Sequence, residues 1–516
     1  MLAAYGSQPL ITTIPATIRL SKSKFLSGLQ CHKRLYLEIH APSFATEPDS
    51  AMQAILDMGT EIGELARKRF SGGVLVDADH RHAAEAVQRT QELLDDPDVP
   101  AIFEAAFIFE QVLVRVDILE RAVSPTGSMA WRLIEVKSSA RVKEIHLDDL
   151  AVQWYVLAGC GLSIGSACLM HVNTQYLYPG GAIDLQQLFS LQDLTPGIAA
   201  RQAKVSLRLT GMKTMLGMPA PPDVEPGGHC HAPYQCRFWE HCTRAKPARW
   251  IFHLPGGDAV FRSLVTMGVH TIDDIPASFK LSISQRRMKD NVEWLGPGLK
   301  HALERIRYPV HHLDFETVMP AMPRFPMTRP YQAIPTQWSN HVELPDGEVR
   351  HDDYLCPDAR DPREELVAAL LTSLGEQGSI CVYSGYERAI LERLAEAFPA
   401  LRKPVLGLIP RLWDLFQVIH DHYYHPAFQG SYSIKAVLPA LIPSLGYQDL
   451  RIQEGGTAAR EYHRMVFEEM DLIERVNLRE ALVQYCARDT LAMLELRKRL
   501  AVKAGMRIPD GRDARC

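Results

Sequence analysis

The sequence predicts an α/β protein of two main domains, and three observations carry that prediction. Strand-like apolar runs recur between amphipathic helical stretches in both halves of the chain, the succession that gives sheets covered by helices. Each half places acids on strand-like runs, Asp117 and Glu135 in the first and Asp314 and Glu316 in the second. The length is 516 residues, 47% apolar and 23% charged. At about 150 residues per domain this allows two to four domains, each able to bury a core. The boundaries read as a tail 1–20, a first α/β domain 21–245, a small helical connector 246–308, a second α/β domain 309–502 and a tail 503–516.

A formal charge of -5 does not advertise nucleic acid, yet acids gathered around metal ions enter the same total as a basic groove. Three basic runs stand out: Lys22, Lys24, Lys33 and Arg34; Arg67, Lys68 and Arg69; Arg286, Arg287 and Lys289. Such runs read as solvated faces. No apolar run has membrane-spanning length, and the 9–18 stretch is broken by Pro15 and lacks a basic segment ahead of it. A cytoplasmic location without membrane contact is expected. Ten cysteines are too sparse for a disulfide scaffold, and a reducing compartment leaves them free for metal.

In the first domain, 51–70 reads as an amphipathic helix ending at Gly72-Gly73 and 79–94 as another. Strand-like runs follow at 101–109, 111–119 and 131–137. The second carries Asp117 and the third Glu135-Val136-Lys137. Residues two apart share a strand face, so Glu135 and Lys137 point together and Asp117 reaches the same place from the adjacent strand. Two carboxylates hold a divalent ion there, while the lysine stabilises charge on an attacking water and a phosphate. A helix at 146–159 carries Gln153, and a proline-rich loop leads to Cys230, Cys236 and Cys242, five residues between each pair. Three thiolates in so short a loop suit a soft metal, with Cys31 the candidate fourth ligand.

Asp117, Glu135 and Lys137 together resemble the PD-(D/E)XK signature of restriction-endonuclease-like folds. With Cys31 near the start and three cysteines at the end, the domain is similar to RecB-like nucleases, whose helical glutamine Gln153 matches. The resemblance implies an iron-sulfur cluster of the 4Fe-4S type at Cys31, Cys230, Cys236 and Cys242. Zinc, with His229, His231 or His241 as further ligands, and cysteines that hold no metal are the alternatives. The chain departs from relatives at Leu157, where an aromatic is usual, at Gly63, where a histidine is common, and in the spacing of the last three cysteines.

The connector reads as helical, with breaks at Gly256-Gly257 and Gly296-Pro297-Gly298. Its 264–272 stretch is faintly like a helix-hairpin-helix turn and more like a glycine-capped helix end. The second domain opens on Leu313-Asp314-Phe315-Glu316-Thr317, two acids on one strand face that repel unless cations such as a magnesium pair bridge them. A proline-rich stretch at 320–335 holds Tyr331, which either stacks on a base or packs. Strands at 336–342 and 348–355, a helix after Pro362, a strand at 379–383 and a further helix follow. Lys435, in a serine-rich turn before an apolar helix, is a candidate phosphate contact. His312 reads as a core histidine, and Cys381 and Cys486 as buried apolar groups. A long helix at 471–500 places Tyr485 and Asp489 four apart, on one face.

Asp-x-Glu on the early strand with Tyr-x-x-x-Asp on the late helix resembles the DEDDy branch of DnaQ-like, RNase H-fold 3′→5′ exonucleases. The resemblance implies that Asp314, Glu316, Glu387 and Asp489 hold two Mg²⁺ or Mn²⁺ ions and that Tyr485 orients the attacking water. Glu387 stands where the family has Asp, and Asp414 is the alternative fourth acid. As a whole the chain resembles an uncharacterised bacterial family that joins a RecB-like nuclease domain to a DnaQ-like one. Nucleic acid is then the partner, DNA favoured over RNA. The competing class is a nucleic-acid-binding or structural protein with one or both centres inactive.

Overall fold

The computed structural model describes residues 20–48, 50–78, 82–123 and 127–507. The tail before Leu20, the expected helix start at 79 and the stretch after 507 lie outside the described residues. The chain is α/β and divides into two compact units. The first ends at Ala245; the short pieces 50–54 and 177–180 group with the second, which continues from Lys246.

Up to Ala245 the elements are β1 (Leu20–Ser21), α1 (Lys22–Gln30), α2 (His32–His40), α3 (Ser50–Arg67), β2 (Val74–Leu75), α4 (Ala83–Asp95), β3 (Ala101–Phe109), β4 (Val112–Val123), β5 (Met129–Lys137), α5 (Glu144–Gly159), β6 (Ile164–Val172), α6 (Leu185–Leu188), β7 (Phe189–Asp193), α7 (Thr195–Ala199), α8 (Gln202–Leu216) and α9 (Trp239–Thr243). The sheet runs β2-β3-β4-β5-β6-β7, with β1 paired to the start of β4. Along β4, Val112, Val114, Val116 and Ile118 are buried, while Leu113, Arg115 and Asp117 fall on a half-buried face. That alternation is what aims Asp117 away from the core. Helix α5 buries Leu150, Ala151, Val152, Val156 and Leu157 in the same core as β3 to β6.

From Lys246 the elements are α10 (Gly257–Thr266), α11 (Ile283–Asp290), β8 (Trp294–Leu295), α12 (Leu299–Glu304), β9 (Val310–Val318), β10 (Ile334–Glu343), β11 (Val349–Leu355), α13 (Arg363–Leu374), β12 (Ser379–Val382), α14 (Tyr386–Ala397), α15 (Arg402–Leu408), β13 (Leu412–Asp414), α16 (Leu415–His422), β14 (Tyr423–Tyr424), α17 (Ile434–Leu441), α18 (Gly455–Phe467) and α19 (Leu472–Lys503). Five strands form a sheet in the order β11-β10-β9-β12-β13. Neighbours are antiparallel from β11 to β9 and parallel from β9 to β13. Leu313 and Phe315 of β9 join a core with Leu366, Val367 and Leu370 of α13 and Ile390 and Leu391 of α14. Asp314 and Glu316, alternate to them, share the opposite face with Gln337 and Ser339, which bond α19 at Leu482 O (3.0 Å) and Thr490 Oγ1 (2.8 Å). The strand period thus presents both acids to the long helix.

The expected connector groups with the second unit. Strand β8 pairs with β14, Gly296 N donates to His422 O at 2.7 Å, and Trp413 Nε1 donates to Ala302 O at 3.2 Å. Part of its apolar surface, Phe261, Leu264, Leu299 and Leu303 among it, is buried, while Met267, Ile283 and Val292 are exposed. Helix α10 ends in a glycine cap, Gly268 at φ 73° with Val269 N donating to Leu264 O at 3.0 Å. Among the described residues no helix is long and apolar enough to cross a membrane.

Candidate functional site

In the second unit, Asp314, Glu316, Glu387, Tyr485 and Asp489 line one cavity of about 280 Å³, together with Lys435, Tyr383 and Tyr386. Strand β9 supplies the first two acids, the first turn of α14 the third, and α19 the tyrosine and the last acid. Ligand atoms of Asp314, Glu316 and Cys486 lie within 4.8 Å of one another. Burial holds the Cys486 thiol protonated, well above its usual range, so it is a wall of the pocket and not a partner for a hard cation. Glu387 is 3% exposed, and its Oε2 has no hydrogen-bond partner. Asp414 is spent elsewhere, capping α16 by accepting from Gln417 N at 3.2 Å, so of the two candidates for the fourth acid Glu387 is the one that faces the cavity.

The electrostatics are those of a cluster short of positive charge. Burial, then Asp489, Glu316 and Glu387, pushes the Asp314 carboxyl well above the ordinary range. Burial and Asp489 raise Glu316 to about 8 against the pull of Lys435. Glu387 rises to about 7, chiefly through burial. Burial raises Asp489 to about 6, opposed by a hydrogen bond from Tyr447 and by Lys435 and Arg488. Among the described residues no ion pair reaches any of the four. Lys435 is tied at the rim, donating to Gln453 O at 2.6 Å and Glu454 Oε2 at 2.9 Å.

In the first unit, Asp117 (β4), Glu135 and Lys137 (β5) and Gln153 (α5) also come together. Lys137 Nζ meets Glu135 Oε1 at 2.6 Å, Gln153 Nε2 donates to Glu135 Oε2 at 2.7 Å, and Asp117 Oδ2 accepts from Val136 N at 2.7 Å. Two further residues belong to this cluster. Asp149 meets Lys137 Nζ at 2.8 Å and Gln153 Nε2 at 3.1 Å. Lys22 Nζ donates to both oxygens of Glu135, at 3.0 and 2.9 Å. The basic run containing Lys22 was expected on a solvated face; instead Lys22 is drawn inward because three carboxylates converge at the start of α1. Burial raises Asp117 to about 7 with help from Glu135. Glu135 feels the same burial, but Lys137 and Lys22 outweigh it and hold its carboxyl far below the usual range.

Cys31, Cys230, Cys236 and Cys242 line a single small cavity with His229, Phe238 and Trp239. Cys31 sits at the α1–α2 joint, accepting from Arg34 N at 3.5 Å. Gln30 Nε2 donates to His229 O (2.8 Å) and Tyr234 O (2.6 Å), which fastens that joint to the cysteine loop. His231 is bonded to Gln235 at 2.7 Å and the His241 ring stacks on Phe44 at 4.3 Å. Among the described residues, no three of these cysteine and histidine ligand atoms lie within 4.8 Å of one another.

Other expected contributors lie apart. His312 is buried, between His341 O (3.0 Å) and Arg497 Nε (3.2 Å), a core histidine as expected. Tyr331 is not among the residues lining the cavity. Arg287 lies 3.4 Å from the Trp294 ring centroid, so the third basic run is partly consumed in packing. Sequence reasoning missed Lys22, Asp149 and Tyr447. Asp149 carried a signal, being one helical turn before Gln153. Tyr447 carried none, since it lies between α17 and α18.

A protein family described as a domain of unknown function (DUF2779) matches residues 311–433, from β9 to the residue before α17. Among curated proteins none matches the chain.

Proposed function

We propose that the protein is a metal-dependent nuclease, with a DnaQ-like 3′→5′ exonuclease centre in the second unit and a RecB-like PD-(D/E)XK centre in the first, acting on DNA. The observation that carries the reading is the convergence of Asp314, Glu316, Glu387 and Asp489 on one cavity with Tyr485 beside them. A sheet of order β11-β10-β9-β12-β13 with the acids on its central strand suits an RNase H-like fold. The donor set fits Mg²⁺ or Mn²⁺: buried carboxylate oxygens, no ion pair to them among the described residues, and one partnerless oxygen on Glu387. When bound, a pair of such ions activates water and stabilises the leaving oxygen.

The chain's own residues set up the rest. Burial, then Asp489, raises the Tyr485 phenol above its usual value, so it stays protonated and orients the water by hydrogen bonding without acting as its base. Tyr447 fixes Asp489 through its hydroxyl. In the hydrolysis, a water oxygen bonds to phosphorus as the bond to the 3′-oxygen breaks, and that oxygen leaves as a hydroxyl on the shortened strand. In the first unit Asp117 and Glu135 would hold the ion and Lys137 would face the phosphate charge. The four cysteines, brought to one small cavity, would hold the iron-sulfur cluster that the resemblance implies, with zinc as the alternative.

The test is hydrolysis of end-labelled single strands with Mn²⁺. Mononucleotides should appear, and Asp314→Ala and Glu135→Ala should each remove a separable activity. Full activity in both variants would sink the reading in favour of a binding protein.

A further inference from the structure

The two carboxylate pockets differ in one respect that the proposed chemistry does not require. In the second unit no ion pair reaches the acids among the described residues, whereas in the first a lysine from α1 stands among them. Lys22 Nζ is 2.9 and 3.0 Å from the two oxygens of Glu135 and 3.8 Å from Asp117 and from Asp149. A carboxylate offers about four acceptor directions. On Glu135 Oε1 these go to Lys22 and Lys137, and on Oε2 to Lys22 and Gln153. No direction is left for a metal ion until a donor departs. Lys137 and Gln153 are each also held by Asp149, at 2.8 and 3.1 Å. Among the described residues Lys22 has no second partner as close; it occupies two of the four directions, and its side chain is 20% exposed.

The position of the ammonium is built in. Ser21 caps α1 by accepting from Lys24 N at 3.3 Å, and β1 pairs Leu20 and Ser21 with Val112 and Leu113 of β4. Among the described residues Asp117, Glu135 and Asp149 do not bring three ligand oxygens mutually within 4.8 Å, as expected of anions arranged around an ammonium.

We propose that Lys22 is a tethered counter-cation that keeps divalent ions off Glu135 until the phosphate of a bound strand draws its ammonium away. This rests on the nuclease reading of the first unit and adds an order to it: strand first, metal second. Lys22 is then a positioning residue, and removing its charge strengthens metal binding in the absence of nucleic acid.

The experiment is Mn²⁺ binding by electron paramagnetic resonance on the full chain carrying Asp314→Asn and Asp489→Asn, which silences the second pocket. Adding Lys22→Met is expected to tighten Mn²⁺ at least tenfold, and further adding Glu135→Gln to abolish that gain. A phosphorothioate decathymidylate should tighten Mn²⁺ in the Lys22 protein and leave the Lys22→Met protein unchanged. Unaltered or weaker Mn²⁺ binding in both Lys22→Met and Lys22→Gln, with native circular dichroism, overturns the proposal. The nuclease reading fails separately, through a Glu135→Gln protein whose strand cleavage equals that of the parent.

Discussion

Asp314 works against the fold when no metal is present. Its carboxyl is buried beside Asp489, Glu316 and Glu387, and its raised pKa measures the resistance to charging it there. Asparagine keeps the shape and removes the charge. Asp314→Asn should therefore raise the melting temperature of the metal-free protein by about 2–4 °C and lose the further rise that Mn²⁺ gives the parent. A fall in the metal-free value, measured by scanning calorimetry, would mean that the carboxyl is structural. Residues such as this one were legible in the sequence, because Asp-x-Glu on a strand and Tyr-x-x-x-Asp on a helix each fix a shared face within one element. Lys22 and Tyr447 were not. Each comes to its site from a segment distant in sequence, so its role depends on which elements the fold makes neighbours.

At the scale of elements, β9, α14 and α19 share the cost of the acidic pocket, and this sets a pH dependence. Glu316, Glu387 and Asp489 sit at about 8, 7 and 6, all above ordinary carboxylates. Their contribution to metal-free stability is whole below about pH 4 and is lost as pH rises through those values. Buried His311 and half-buried His341, lowered to about 4 mainly by desolvation, act in the opposite sense. They do not line the acidic cavity and largely cancel in a difference with and without Mn²⁺. The rise in melting temperature on adding Mn²⁺ should be larger at pH 8 than at pH 6, and equal rises would count against the carboxylates as the metal seat. The entry to β12 sets a different demand. Gly378 has φ 86° and its missing Cβ would collide with the Pro309 carbonyl. Gly378→Ala should cost more than about 1 kcal/mol in urea unfolding, a loss that Mn²⁺ does not specifically offset. Helices and strands were legible from periodicity, but not this turn, because nothing local shows that another segment's backbone lies against it.

For the molecule as a whole, the cluster proposed at the cysteines would join positions far apart in the chain: Cys31 follows α1, whereas Cys230, Cys236 and Cys242 follow α8. A link across so long a loop removes unfolded-state entropy that grows with loop length. Cys236→Ser should lower the transition of the first unit in calorimetry while the Mn²⁺ response of the second is kept. Loss of both together would show that the cluster supports more than its own unit. The grouping of 246–308 with the second unit is likewise a whole-molecule outcome, since a helical stretch with glycine breaks reads the same whether it spans a gap or packs. By itself the sequence determined the α/β class, the strands and helices that carry the candidate acids, and which acids, tyrosine and cysteines were worth watching, because periodicity and spacing are local and each element has one geometry. Only the tertiary structure decided that Glu387 and not Asp414 faces the acidic cavity, that Tyr447 holds Asp489, and that Lys22 stands among the first unit's carboxylates. Those outcomes depend on distances across elements, which the packing of a three-dimensional core sets and spacing along the chain does not encode.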